Sequence, residues 1–139
     1  MALLRGKTEG IQLISKPHRI RREEQIVWIC FLFEIKWGTT DYLSYTSYLT
    51  QYDLIELRSF LRDISACRRD AFLFSNTDND FILEAQCSES KNDIFVGCWV
   101  GEPYQLMKGY RFVVVVGDLG SFADELEADE ALIMRLNEL

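Results

Sequence analysis

The stretch TQYDLIELRSFLRDISACRR, residues 50–69, decides the fold class, because it is the one clearly helical pattern in the first hundred residues. Its apolar residues recur at steps of three and four, namely Leu54, Leu57, Phe60, Leu61, Ile64 and Cys67. That spacing predicts a helix with one buried stripe. Thr50 with Asp53 three residues later predicts an N-cap followed by an acidic first turn. The stripe needs an apolar surface, which the strand-like runs on both sides are expected to supply.

Seven segments with a two-residue apolar repeat flank this helix, and each predicts a β-strand. They are residues 10–15, 25–37, 42–49, 71–75, 81–87, 94–100 and 110–116. The longest is apolar at every odd position from Val27 to Trp37, which is typical of a strand at the centre of a sheet. Because short turns separate most of these segments, we expect neighbouring strands to be antiparallel.

A second helix is predicted at the end of the chain, with Asp118 as its N-cap and acidic residues crowding its middle. The predicted fold is therefore an α+β domain, a mostly antiparallel sheet of about six to seven strands with two helices packed against it. The whole chain, residues 1–139, is expected to form this one domain, with residues 1–9 flexible. No internal repeat is visible in the sequence.

Charge is distributed unevenly along the chain. The formal net charge is −7, yet residues 1–40 hold seven Lys and Arg against four Asp and Glu, while residues 41–139 hold eight against eighteen. An acidic chain of this kind is a poor match for nucleic acid, which we do not expect as a direct partner. The negative charge would instead attract a basic protein. The alternative is that it only keeps the protein soluble.

The basic segment 16–24 is the exception to this acidity, and its three arginines are Arg19, Arg21 and Arg22. No aromatic residue is interleaved with them, as the binding of single-stranded nucleic acid would favour. We therefore interpret this segment as a solvated connection between strands.

The sequence also bears on localisation. Its longest apolar run, Ile26 to Phe33, is far shorter than the ~20 residues of a membrane-spanning helix. The N-terminus has no basic region followed by an apolar one, so no secretory signal is predicted. We expect a cytoplasmic protein without membrane contact.

Residues that usually carry chemistry are scattered. His18 is the only histidine, and no Cys-x-x-Cys pair occurs among Cys30, Cys67, Cys87 and Cys98, which are expected to be reduced and apolar. Asp78 and Asp80 lack the downstream residues of a calcium loop, and no nucleotide-binding or nucleophile motif occurs. No catalytic residue, cofactor or metal is therefore expected. A carboxylate pair such as Glu84 with Asp80 or Glu102 leaves no local signature and stays open.

Two strand-to-helix junctions carry a resemblance to a known family. Leu49-Thr50 leads into Asp53-Leu54 with Leu57, Phe60 and Leu61, and Val114-Val115-Val116 leads into Asp118-Leu119 with Phe122 and Leu126. With the order of strands and helices, this resembles the WapI-like immunity proteins of bacterial polymorphic toxin systems. The resemblance spans about residues 10–137. It implies a cytoplasmic antitoxin without catalytic residues, which binds the C-terminal toxic domain of a large secreted protein. The arginines of segment 16–24 are a departure from this resemblance, because an acidic antitoxin has no obvious need for a basic segment.

Under this hypothesis, an acidic surface with aromatic anchors covers the active cleft of the toxin. The candidate contact residues, chosen by type and expected exposure, are Trp37, Tyr42, Tyr48, Asp78, Asp80, Asp124, Glu125 and Glu127. Two other classes of function stay open. One is a structural or adaptor module that self-associates through the strand from Tyr42 to Leu49, and the other is a small enzyme that uses a cleft carboxylate or His18. The oligomeric state is not determined by the sequence.

Overall fold

The computed structural model describes residues 1–7, 10–103 and 105–137, with the backbone alone for Asp41. This part of the chain contains one topology twice, four antiparallel strands in sequential order followed by a helix. Sheet A and its helix comprise β1 (Ala2–Arg5), β2 (Ile11–Glu23), β3 (Ile26–Trp37), β4 (Thr40–Thr50) and α1 (Gln51–Ser65). Sheet B and its helix comprise β5 (Ala71–Ser75), β6 (Phe81–Cys87), β7 (Asp93–Val100), β8 (Lys108–Val115) and α2 (Val116–Leu136).

The predicted α+β class with two helices and antiparallel strands is confirmed. The strand count is corrected, since eight strands form two sheets of four instead of one sheet of six to seven. One cause lies in residues 1–9, which were expected to be flexible. Ala2–Arg5 instead pair with β2, and Ala2 and Leu4 are fully buried, because their alternation points them into the core. Thr8 and Glu9 lie outside the described residues.

The interpretation of segment 16–24 as a connection between strands is wrong. β2 continues through it to Glu23 and stays paired with β3, with a register shift between Pro17 and Arg19. Pro17 has no N–H to give to a strand ladder, which explains an irregularity there. The hairpin closes through Glu24 and Gln25, both with positive φ, at 53° and 67°.

α1 matches its predicted pattern closely. Thr50 caps it, accepting from the Asp53 N–H at 3.0 Å while the Asp53 carboxylate accepts from the Thr50 N–H at 2.9 Å. Its buried residues are Leu54, Leu57, Leu61 and Ile64. The stripe ends before Cys67, which is exposed beyond the helix. α1 packs against α2 as well as against the strands.

α2 starts differently from the prediction. It begins at Val116 after Val115, which offers no capping side chain, and Asp118 lies in the first turn. A carboxylate there still interacts favourably with the helix dipole. None of the described helices is both long and apolar enough to cross a bilayer.

The inner faces of the two sheets and the buried sides of the helices form one continuous apolar core. Phe33 of sheet A and Phe81 of sheet B stack across it, with ring centroids 4.0 Å apart and planes 14° apart. Phe81 also contacts Phe74 edge-on at 6.2 Å. The outer faces of both sheets are therefore left to determine the surface of the protein.

Candidate interaction surfaces

The predicted contact residues fall into three groups on different elements. Trp37 and Tyr42, at the turn between β3 and β4, both lie edge-on to Tyr110 of β8, with ring centroids 5.3 Å and 5.6 Å away. Both remain exposed. This aromatic cluster joins the end of sheet A to sheet B, so the two residues serve the fold as well as the surface.

Tyr48, Asp78 and Asp80 form the second group, where the β5–β6 turn meets β4. Asp80 accepts a hydrogen bond from the Ser47 hydroxyl at 2.6 Å, so its carboxylate is engaged within the protein. Asp78 is exposed. Neighbouring atoms nevertheless remove part of the water around its carboxyl, and this desolvation together with the nearby Asp80 raises the pKa of Asp78, while Arg21 opposes that rise.

Asn76 holds this junction together. Its side chain is almost fully buried and donates to the Ser47 hydroxyl at 3.0 Å, the Tyr48 carbonyl at 2.9 Å and the Asp80 carboxylate at 2.7 Å. Its own carbonyl accepts from the N–H groups of Asp80 and Phe81 at 3.1 Å and 3.0 Å. The Tyr48 carbonyl on β4 of sheet A therefore accepts a hydrogen bond from the β5–β6 turn of sheet B.

Asp124, Glu125 and Glu127 form the third group, on α2, but they do not act alike. Arg62 of α1 donates to Asp124 at 3.0 Å and to Glu127 at 2.8 Å, and both carboxylates remain exposed. Glu125 is half-buried and accepts from the Leu3 N–H of β1 at 3.5 Å. Glu125 is therefore poorly placed to share a contact surface with the other two.

A groove between α1 and α2 adds residues that the sequence analysis missed. We call it the helix groove, lined by Gln51, Tyr52, Ile55, Arg58, Glu127, Glu130, Ala131 and Met134. Tyr52 is 72% exposed and Ile55 56% exposed, although both are large and largely apolar. Both positions lie outside the buried stripe of α1. In the sequence, large apolar residues outside that stripe could have indicated this surface.

One wall of the helix groove is fixed by an ion pair. Arg58 donates to Glu130 at 2.6 Å, and both side chains are largely buried. A pair with little exposure is screened weakly by salt, and removing one partner leaves a charge without compensation. The groove is therefore held in shape by the contact between the helices.

A second surface lies on the outer face of sheet A. We call it the arginine strip, formed by Arg19, Arg21, Trp28 and Tyr48. The Arg21 guanidinium lies 5.4 Å from the Trp28 ring centroid and 4.7 Å from that of Tyr48. Arg19 donates to the Tyr48 hydroxyl at 3.1 Å. The segment itself contains no such aromatic residue, and the rings come instead from the neighbouring strands β3 and β4.

A third surface is the outer face of sheet B. We call it the apolar face, formed by Ala71, Leu73, Ile82, Phe95, Trp99 and Val113, which alternate with the core residues of their strands. Leu73 is 66% exposed and Phe95 54% exposed. Arg111 crosses this face, with its guanidinium 5.2 Å from the Trp99 ring centroid and its Nε 3.8 Å from Glu84.

Trp99 lies flat on this sheet because its neighbours are glycines. A Cβ added at Gly97 would overlap the Trp99 ring, and one added at Gly109 would come within 2.7 Å of it. Gly97 precedes Trp99 by two residues on β7, and Gly109 is its direct partner on β8. The sheet surface there is consequently smooth.

The groups that could perform chemistry are dispersed. Among the described residues, no group of three or more His, Cys, Asp or Glu side chains is placed to hold a metal ion. The four cysteines are free, and burial raises the pKa of the Cys98 thiol to about 12. A thiol with so high a pKa is mostly protonated at neutral pH and is a poor nucleophile.

Comparison with known proteins adds information on the fold. No protein-family model matches the chain, and no curated protein matches it. Its fold is similar to that of the plant transcriptional regulator PBF-2 in a solved structure. The similarity covers 99% of this chain and 92% of that chain, with a TM-score of 0.51 and 9% sequence identity. At that identity the similarity concerns the fold alone.

Proposed function

We propose that this protein is a cytoplasmic immunity protein, which binds a toxic protein domain and blocks it without catalysis. The observation that carries this proposal is the helix groove, where Tyr52 and Ile55 are exposed beside the carboxylates of α2. The resemblance of the strand-to-helix junctions to WapI-like immunity proteins supports the same conclusion.

Exposed aromatic and aliphatic side chains are the usual anchors of a protein interface. Burying Tyr52 and Ile55 under a partner would remove largely apolar surface from water at the centre of the contact. The groove is shaped before any partner arrives, since the Arg58–Glu130 pair holds its wall. A preformed site loses less conformational entropy on binding.

The carboxylates around the groove suit a basic partner. Asp124 and Glu127 are exposed beside it, and Arg62 orients both. In a chain with a net charge of −7, these groups would steer a positively charged domain towards the groove. The partner class is therefore a basic protein domain that presents apolar side chains flanked by Lys or Arg.

The test is co-expression with a candidate toxic domain, the C-terminal domain of a large secreted protein if a neighbouring gene encodes one, followed by binding measurements on the purified pair. Wild-type protein should protect the cells and form a complex. Ile55→Glu should weaken binding about tenfold or more, because it places a charge among the apolar anchors. Leu106→Glu is the matched control, since Leu106 is 92% exposed and does not line the groove, and it should bind normally.

The electrostatic part has its own test. Reversing the charge at both Asp124 and Glu127 should slow association and flatten its dependence on salt. The proposal fails if Ile55→Glu and the double reversal both leave affinity and salt dependence unchanged.

A second candidate function, binding of single-stranded nucleic acid, is favoured by the arginine strip. Guanidinium groups beside aromatic rings are the combination that such sites use, and the rings of Trp28 and Tyr48 are half-buried on this face. Against it stands the acidity of the rest of the chain.

Fluorescence anisotropy with a labelled single-stranded oligonucleotide decides this second candidate. Binding that falls about tenfold in Trp28→Ala would support it, since a stacked base contributes about 1–3 kcal/mol. Arg111→Ala is the control, because it removes a similar arginine–tryptophan contact from sheet B. Absence of binding at low salt would remove this candidate.

A further inference from the structure

The apolar face of sheet B is a second exposed surface, and the proposed function does not use it. Leu73 and Phe95 project from it with more than half of their surface in water. Ala71, Ile82, Trp99 and Val113 extend the same side of the sheet. The polar side chains of Glu84 and Gln86 on β6 lie between Leu73 and Phe95. Large apolar side chains exposed together on one sheet face are typical of an interaction surface.

The face carries both projecting side chains and a recess. A shallow hollow lies between Leu73 and Phe95, with the small side chain of Ala71 and the polar side chains of Glu84 and Gln86 in its wall. Beside it, the sheet is smooth where Trp99 lies flat on its glycines. Projecting and recessed features on one patch allow two copies to fit together about a two-fold axis.

The charge of this face distinguishes between possible occupants. Its charged side chains balance, since Glu84 and Arg111 lie 3.8 Å apart and Asp93, on the same side of β7 as Phe95, pairs with Lys7 at 2.9 Å. The protein as a whole carries −7, which repels another copy over most of its surface. A basic partner would gain no electrostatic attraction here, whereas a second copy would meet little repulsion.

We propose that two copies of this chain associate face to face through the apolar face of sheet B. In this dimer, Phe95 of each copy occupies the hollow beside Ala71 of the other, and Glu84 of each copy lies near Arg111 of the other. The sheet B of one copy would pack on the sheet B of the other, about 10 Å apart, as sheets do in a β-sandwich. The helix groove stays free in both copies, so dimer formation and partner binding are separate properties.

Sedimentation equilibrium of the purified protein, from about 1 µM to about 1 mM, tests the proposal over the range where a weak dimer dissociates. Wild-type protein should pass from monomer to dimer. Phe95→Glu should weaken the dimer at least tenfold, and Leu73→Glu should do so as well. Ile55→Glu, an equally exposed position on α1, is the matched control and should dimerise normally.

A charge exchange separates this dimer from non-specific association. Glu84→Arg alone and Arg111→Glu alone each bring like charges together across the two-fold axis, so each should weaken the dimer. The double exchange restores opposite charges and should recover most of the lost affinity. Circular dichroism of each variant confirms that it is folded.

Three outcomes would overturn the proposal. Wild-type protein that is monomeric at every concentration would do so, as would a dimer unaffected by both Phe95→Glu and Leu73→Glu. A dimer lost in Ile55→Glu but kept in Phe95→Glu would place the interface on the helices instead.

Discussion

The two sheets share a topology but differ on their outer faces. The outer face of sheet A carries charges that pair with one another, such as the exposed Lys16 with the largely buried Glu34 at 2.8 Å, and Arg21 lies over aromatic rings nearby. Sheet B exposes Leu73 and Phe95 beside the ion pairs Glu84–Arg111 and Lys7–Asp93. The inner faces are alike, both apolar and both part of one core. In a strand, alternate residues point to opposite faces, so one set builds the fold while the other is free to set surface chemistry.

The difference between the outer faces of the two sheets accounts for part of the uneven charge along the chain. β2 and β3 supply most of the basic residues of the first forty positions, and those residues lie on the outer face or near the hairpin tip. The acidic remainder is concentrated in the turns and in α2. Surface chemistry therefore differs between two units that fold in the same way.

The largest effect should come from the core that both sheets share. Phe81→Ala removes a ring that stacks on Phe33 and contacts Phe74, so it should cost about 3–5 kcal/mol of unfolding free energy. Ile82→Ala, the next residue on the outer face, is the matched control and should cost less. Urea unfolding measures both. Equal losses would mean that inner and outer faces do not differ as described.

The next effect concerns the joint between the two units. Asn76→Ala removes all the hydrogen bonds of a buried amide and leaves its partners unsatisfied, so we expect a loss of about 2–4 kcal/mol. Exposed Asn92→Ala should change stability little. If hydrogen exchange shows sheet A and sheet B opening separately in Asn76→Ala, the joint is what makes the two units cooperate. An unchanged unfolding midpoint would contradict this role.

A smaller effect should be confined to sheet B. Gly97→Val places methyl groups where the Trp99 ring lies, so the ring must move, at a cost of about 1–3 kcal/mol. Trp99 emission, in a background with Trp28 and Trp37 replaced by Phe, should report increased solvent exposure. Gly117→Ala, where an added Cβ meets nothing within 4 Å, is the control and should leave the emission unchanged. Unchanged emission in Gly97→Val would show that the ring does not depend on its glycine.

The smallest effect is expected at Asp78, where the acidic turn meets Arg21 of sheet A. Its raised carboxyl pKa means that the ionised form is disfavoured in the folded protein, so stability is lost as pH rises through that pKa. Asp78→Asn should therefore raise the melting temperature slightly at neutral pH. The difference should vanish on acidification below about pH 4, where the unfolded chain is also protonated. A difference that grows on acidification would contradict the sign of the shift.

The sequence predicted those parts of the fold that depend on local periodicity. The capping box at Thr50 and Asp53, the stripe of α1 and most strands follow from residue spacing alone. The arrangement of the strands in two sheets does not follow from residue spacing. It depends on contacts between residues distant in the chain, such as those made by Asn76 and Phe81. The same limit applies to the surfaces. Arg21 meets Trp28 and Tyr48 only after three strands pair, and Tyr52 meets Met134 only after two helices pack.

We propose that this protein acts by stoichiometric binding through the helix groove. Titration of the protein into a fixed amount of a purified candidate toxic domain, while the activity of that domain is followed, tests this mode of action. Stoichiometric binding predicts that inhibition is immediate, rises linearly with added protein and is complete at one equivalent, and that Ile55→Glu shifts the curve to higher concentration. Inactivation that proceeds with time at a small fraction of an equivalent would indicate catalysis and rule out stoichiometric binding.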